Sequence, residues 1–451
     1  MRVWLVVGLV LVLGSWAVAQ PAPTEAPSRL PALSLPLRLT PDAAASLAVQ
    51  RSTDVALSLE QINAAQGLLR QVQAMRGLQV NGTASYTFTG PVQTIDFPTS
   101  GGGTETIQLS SPRTHHETLT AALPLYAGGR DVYAIRAARA GIDAAHENVQ
   151  TSEVQVAFAA RQAVYGVLRL QQLVVVAQQR LTAVAEHLRI AGAMFDAGTV
   201  ARFEVVQAQT ELARAKGDLI HARTAVQQQQ AALLKVLNAA QGGEVVVEEG
   251  VPLKLPDGDL HALIAMALEE RPEVAALDAA VRAREAALRL AEANDHFSLA
   301  LKGDVNNGTA SALASGLSWD VSLTLTKPFY QGGEKEAAVM QAQSALQTAR
   351  LNVEAAQQGI ALQVTQAQLN VDDAREALAV AEQGEVEARE RVRIAQVRFG
   401  NGVSLGVEVL DAQSALAAAQ TQVVNARYDL QVATTALRAA LGLADLPKEP
   451  S

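Results

Sequence analysis

The chain contains no cysteine in 451 residues. That excludes a disulfide framework, thiolate chemistry and a lipid-modified cysteine at a mature N-terminus. Aromatics are scarce at 4%, and 36 Lys and Arg are outnumbered by 45 Asp and Glu. A net charge of −9 leaves no basic excess to neutralise phosphates, which argues against a nucleic-acid partner. Past residue 19 no apolar run reaches the ~18 residues of a helical membrane span. Proline is missing between Pro124 and Pro252 and again between Pro328 and Pro447. It costs about 3 kcal/mol inside a helix, so these windows are where very long helices can form.

At the start, Arg2, the apolar run Val3 to Leu13 and Ala17-Val18-Ala19 read as a secretory signal peptide, too short for an anchor. Pro21, Pro23, Pro27, Pro31 and Pro36 mark an extended leader. In the first proline-free window Leu170, Val174, Ala177, Leu181, Val184, Leu188, Ala191 and Phe195 alternate spacings of 4 and 3, a coiled-coil seam. The same seam recurs 204 residues later as Ala374, Leu378, Ala381, Glu385, Ala388, Val392, Ala395 and Phe399, with one Glu interrupting it. The spacing predicts long helices over about 130–194 and 334–398, roughly 97 Å each at 1.5 Å per residue. Each ends in a Phe-x-x-Gly turn, Phe195 with Gly198 and Phe399 with Gly402, followed by helices over about 203–239 and 407–441. The stretches FDAGTVARFEVVQAQ and FGNGVSLGVEVLDAQ are thus tips of two helical hairpins.

Four segments alternate instead with period two, two before each long helix. Val80, Gly82, Ala84, Tyr86 and Phe88 oppose Asn81, Thr83, Ser85, Thr87 and Thr89. Leu119, Ala121, Leu123 and Leu125 oppose Thr118, Thr120 and Ala122. Phe297, Leu299, Leu301 and Val305 oppose Ser298, Lys302 and Asp304. Leu317, Trp319, Val321, Leu323 and Leu325 oppose Ser318, Asp320, Ser322, Thr324 and Thr326. A half-buried soluble sheet has the same period. Eight of the fifteen aromatics past residue 19 lie in or beside these segments, which favours membrane β-barrel strands with interfacial girdles. Four strands cannot close a barrel, and open edges are not tolerated in lipid. Strands are therefore pooled between chains: twelve in a trimer, although arithmetic also admits a dimer of eight. Loops near 90–113 and 306–314 would join the strands of each pair.

The duplicated plan, PLYAGG (124–129) and PFYQGG (328–333) at strand-to-helix junctions, and the two tips together resemble the TolC family of outer-membrane efflux proteins over about 39–442. The resemblance implies an α+β membrane protein. It would be a trimeric 12-stranded outer-membrane β-barrel, four strands per chain, continuous with a long α-helical coiled-coil barrel in the periplasm. It implies partners: a homotrimer, outer-membrane lipid, a periplasmic adaptor and an inner-membrane pump. It further implies that Glu408 and Asp411 ring the constriction, that Glu204 joins the gate network, and that the tips at Phe195, Gly198, Phe399 and Gly402 dock the adaptor. Gln207 stands where the second copy has Asp411, and Ser404 replaces a basic gate residue, which makes Arg202 a candidate partner. On the residues alone, Glu408 and Asp411 share a helix face near an N-terminus. They fit either a solvated, dipole-favoured position or rings of three carboxylates that favour cations.

The organisation expected is a signal peptide (1–19), a Pro-rich leader (20–38), a first repeat (39–241), a connecting segment (242–258), a second repeat (259–442) and a tail (443–451). Gly128-Gly129 and Gly332-Gly333 are expected as flexible hinges rather than phosphate loops, since no Lys-Ser/Thr follows. His115 and His116 point to opposite faces of a strand and do not share a metal. Asp257 and Asp259 suit a turn and a helix cap, not a calcium loop. His146, His187, His221, His261 and His296 are scattered without ligand spacing. No nucleophile, base or cofactor constellation is present, so no enzyme and no cofactor are expected. The function expected is a passive duct for small molecules or ions. A type I protein-secretion duct and a soluble periplasmic coiled-coil adaptor are the alternatives.

Overall fold

The computed structural model describes residues 37–444 except 92, 99, 109–110, 241–244, 252, 256–257 and 312–313. The expected signal peptide, the leader through Pro36, Gly242, Asp257 and the tail from 445 lie outside the described residues.

The long helices α3 (Arg130–Asp196) and α7 (Glu334–Gly400) have 67 residues each. Their return helices α4 (Arg202–Val236) and α8 (Gly406–Ala440) have 35 each. At 1.5 Å per residue these are about 100 and 53 Å long. Shorter helices α1 (Pro41–Arg51) and α2 (Thr53–Ala74) precede the first strand pair; α5 (Leu260–Glu270) and α6 (Pro272–Glu292) precede the second. Ser52 caps α2 by accepting from the amides of Asp54 and Val55, and Asp259 caps α5 by accepting from Ala262 at 2.8 Å, as its spacing suggested.

The upper wall runs α2, α3, α6, α7, and the lower wall α4, α3, α8, α7. The core repeats with the duplication. Val167, Leu233 and Leu237 pack in one equatorial cluster, and Val371, Leu437 and Leu441, each 204 residues on, in the other. The interrupting Glu385 is met by Arg389 at 2.5 Å and by Gln420 of α8 at 3.5 Å, so the seam closes over a paired charge.

Strands β2 (Gln79–Phe88), β5 (Arg113–Tyr126), β7 (Ser298–Ser311) and β8 (Ala314–Thr326) form one antiparallel sheet in that order. The register puts Asn81, Thr120, Asp304 and Asp320 in one row and Gly82, Leu119, Val305 and Trp319 in the next. On the polar face Thr120 donates to Asp304 at 2.6 Å and Thr118 to Asn306 at 2.9 Å. The other face is bare: Trp319 is 74% exposed, with Val80, Phe88, Val321 and Leu323 also exposed. Aromatic pairs mark its ends, Tyr86 with Phe88 at 5.0 Å between centroids and Tyr126 with Phe297 at 4.8 Å. From His115, opposite Tyr86, to Tyr126 is about 37 Å of strand at ~3.4 Å per residue. At the ~45° tilt of membrane strands that is about 26 Å of height, matching the ~25 Å apolar band of outer-membrane barrels.

Three features differ from the sequence reading. The stretch 306–314 is mostly strand, because β7 runs on to Ser311 and β8 begins at Ala314. The 90–113 loop carries its own hairpin, β3 (Thr94–Pro98) with β4 (Thr104–Gln108). Leu37 and Arg38, placed in the leader, belong with Leu39 to β1 (Leu37–Leu39), which pairs in parallel with β6 (Val245–Val247) across the connecting segment. Three residues are too few for a period-two signal to register.

Candidate functional site at the helical tips

Both tips close identically. Gly198 and Gly402 sit at φ +75° and +72°, where a side chain is disfavoured. The amide of Thr199 donates to Met194 O and that of Gly198 to Phe195 O, each at 2.9 Å. Val403 to Arg398 and Gly402 to Phe399 repeat both distances. At the far ends Gly128, Gly129, Gly332 and Gly333 all have positive φ where strand becomes helix. The first of these junctions is closely packed at Gly128. A Cβ at Gly128 would stand 2.7 Å from His296 Cβ, and His296 Nδ1 lies 2.9 Å from Gly128 O.

The two tips meet around His187, a residue passed over in the sequence. It comes from α3, is 3% exposed, and places its ring 5.2 Å from that of Phe399 at the end of α7. From α8, Gly406 closes in. A Cβ there would overlap Glu204 Oε2 of α4 and stand 3.2 Å from His187 Nε2. All four long-hairpin helices thus converge, with Glu204 beside Gly406 of the second tip. Burial pushes the His187 imidazole below its usual pKa. His187 Nε2, Gln207 Oε1, Ser404 Oγ and Gln413 Oε1 are buried without a hydrogen-bond partner among the described residues. Gln413 Nε2 reaches Ala183 O, one turn above His187, at 3.4 Å.

Glu408 and Asp411 lie apart from this junction, on a groove between α7 and α8 that also holds Arg391 and Arg398. Glu408 pairs with Arg398 of its own chain at 3.3 Å, both about half exposed. Arg398 supplies a cation to Glu408 within the chain. Of the residues expected at the docking surface, Gly198 and Gly402 are exposed in their turns and Phe195 is exposed. Phe399 is buried under His187, so its side chain holds the tip from behind and offers no surface. Phe203, Val403 and Leu405 are exposed apolar side chains there as well. A 204-residue self-alignment was the signal for His187 and Gly406. It sets them against Arg391 and Arg202, two of the places where the copies change chemical character.

The profile of the family described as Outer membrane efflux protein matches residues 44–239 and 263–443. The outer membrane efflux protein BepC of Brucella suis biovar 1 (strain 1330) is 26% identical over 321 residues, covering 68% of each chain. Among solved structures, CusC superposes with a TM-score of 0.75 at 19% identity, covering 90% of this chain and 92% of that one. The CmeC outer membrane channel of Campylobacter jejuni gives 0.73 at 17% identity, covering 91% and 87%.

Proposed function

The chain belongs to the outer membrane efflux protein family, and from that premise we propose that it is the outer-membrane duct of a tripartite efflux system. It passes small molecules or ions handed on by an inner-membrane pump through a periplasmic adaptor, without catalysis of its own. One observation carries this reading: an apolar sheet face of membrane height runs into a helical wall whose edges are bare. The sheet ends in the unpaired edges of β2 and β8. Along α7, Met340, Leu351, Leu362, Leu369, Val380 and Ile394 are exposed. At 100° per residue they fall within about 40° of one another. Such a stripe needs a covering partner. A second copy supplies it with its own α2 above and α4 below, the opposite edge of each half. Three copies give twelve strands and six hairpins, a homotrimer enclosing one tube.

In that tube Glu408 and Asp411 form carboxylate rings near the periplasmic mouth, and Glu204 fastens the first tip to the second. The exposed tips around Gly198 and Gly402, with Phe203, Val403 and Leu405, face the adaptor. The test is single-channel conductance of the protein in a planar bilayer, beside Glu408→Ala/Asp411→Ala. Cation-selective conductance that loses selectivity or rises in the variant supports the assignment; silence of both under all conditions refutes it. Co-purification of a peptide-exporting ATPase in place of a drug or ion pump would replace efflux by protein secretion.

A further inference from the structure

The bare face of the sheet is not apolar to its outer end. Along β5, from the β3–β4 end inward, its positions read Arg113, His115, Glu117, Leu119 and Ala121. Their counterparts 204 residues on, along β8, are Leu317, Trp319, Val321, Leu323 and Leu325, all exposed. The two strands hold equal places in the duplicated plan, so the face itself demands no charge there. A lipid-facing charge is costly at mid-bilayer and tolerated near the interface. His115 marks the outer edge of the apolar band. Arg113 stands two residues beyond it, about 5 Å higher at ~3.4 Å per residue and ~45° of tilt. That is the level of lipid headgroups.

Arg113 is exposed, and it is the single Arg or Lys between Gly77 and Gly129. Its guanidinium lies over the Phe88 ring, 5.9 Å from the centroid, and Phe88 meets Tyr86 at 5.0 Å. Ser111 fixes the backbone behind it. The Ser111 hydroxyl donates to Arg113 O at 2.7 Å and accepts from the Arg113 amide at 3.4 Å. Among the described residues no carboxylate pairs with the guanidinium. Glu117, further inward on the same face, accepts instead from Asn307 Nδ2 at 3.1 Å.

We propose that Arg113, seated on Phe88 beside Tyr86 and His115, binds the phosphate of an outer-leaflet lipid headgroup, one seat per chain. This rests on the bare sheet face being the lipid-facing one. A guanidinium presents a planar fork matched to phosphate oxygens. The aromatic rings beside it suit the boundary between acyl chains and headgroups. The order of charges sets the depth. The cation is outermost, the imidazole next and the carboxylate innermost, so Glu117 repels a phosphate that sinks and leaves it at Arg113. The first half of each chain thus meets the outer leaflet through charge. The second half, with Leu317 and Trp319 at the same places, meets it through apolar contact.

The test mixes the full chain, purified in detergent, with sub-saturating diphosphoryl lipid A and measures the lipid retained per chain after gel filtration. Arg113→Gln should retain about fivefold less than wild type, the effect of one arginine near an anionic lipid surface. Lys302→Gln removes a cation from the opposite, polar face and should retain the wild-type amount. Lipid A stripped of its phosphates should bind wild type as weakly as Arg113→Gln binds the intact lipid. Equal retention of intact lipid A by wild type and Arg113→Gln would overturn the seat, as would a loss confined to Lys302→Gln. Radiolabelled inorganic phosphate, offered without lipid, should not be retained. Its retention by wild type and loss in Arg113→Gln would make this a site for the free anion and overturn the lipid assignment. Conductance of the same preparations keeps the two readings apart. Channels from wild type and Arg113→Gln with equal lipid retention leave the duct standing without the seat; no channels and no retained lipid in wild type overturn both.

Discussion

Phe195 and Phe399 occupy the same place in the two copies, 204 residues apart, yet Phe195 is 41% exposed and Phe399 is 4% exposed. The backbone around each closes with the same hydrogen bonds. What differs is the lid. His187 covers Phe399, whereas Arg391, its counterpart, belongs to an edge helix and stacks on no phenylalanine among the described residues.

The junction around His187 depends on the missing side chain at position 406. Gly406→Ala puts a methyl into Glu204 and against His187. Overpacking costs about 1–3 kcal/mol, and the lower end applies here because the Glu204 carboxylate is the free end of a flexible side chain while His187 gives by a few tenths of an ångström. The methyl is relieved by parting the tips, so single-channel conductance should rise and the melting temperature should fall. Gly400→Ala is the control: nothing lies within 4 Å of it in the helix end. There the change should be neutral or stabilising by up to about 1 kcal/mol. Equal effects of the two substitutions would count against the crowding argument.

Acid should act on the same junction. Burial lowers the His187 pKa below its ordinary value near 6.5. The carboxylate facing it is Glu204 from α4; α7 offers Phe399 and α8 offers Gly406 and Gln413. A depressed folded pKa means the packed junction is fully stable above about pH 6.5 and loses stability as pH falls through the lowered value. Conductance should therefore increase from about pH 7.5 to about pH 5, and His187→Gln should flatten that limb. A pH response unchanged in His187→Gln would place the titrating group elsewhere.

Most of the architecture was legible in the sequence because its signals are long. Sixty-seven-residue helices and strands with clean alternation leave many periods to read, and the 204-residue offset fixed the tips. What escaped was short or relational. The β1–β6 pair is three residues long. Glu408 fits either a solvated helix start or a carboxylate ring on its residues alone, and its partner Arg398 lies across the turn, at no helical spacing that would show it. His187 looked like one scattered histidine, since a residue buried by three other helices carries no local motif.

The equator should govern stability without touching the gate. Tyr428 is buried and its hydroxyl donates to Glu249 Oε1 at 3.0 Å. Burial and that carboxylate both push the phenol pKa up. A hydrogen bond to a charged group contributes about 1.5–3 kcal/mol, so Tyr428→Phe should lower the melting temperature. Conductance and selectivity should stay at wild-type values, because the residue packs with Leu233 and Val245 and not at the tips. Altered selectivity in this variant would show that the equator and the constriction are coupled.

The two faces of the sheet should respond oppositely to a charge. Val321 lies on the bare apolar face midway along β8, and its neighbour Asp320 lies on the polar face directly opposite Asp304. A lysine on a lipid-facing position at mid-bilayer costs about 2–4 kcal/mol. Val321→Lys should therefore reduce assembly of heat-resistant oligomers in the membrane fraction. Asp320→Lys sets a cation against the Asp304 carboxylate, a favourable cross-strand pair. That variant should assemble at wild-type yield and shift ion selectivity away from cations. If Asp320→Lys blocks assembly while Val321→Lys does not, the sheet faces lipid with the side opposite to the one argued here.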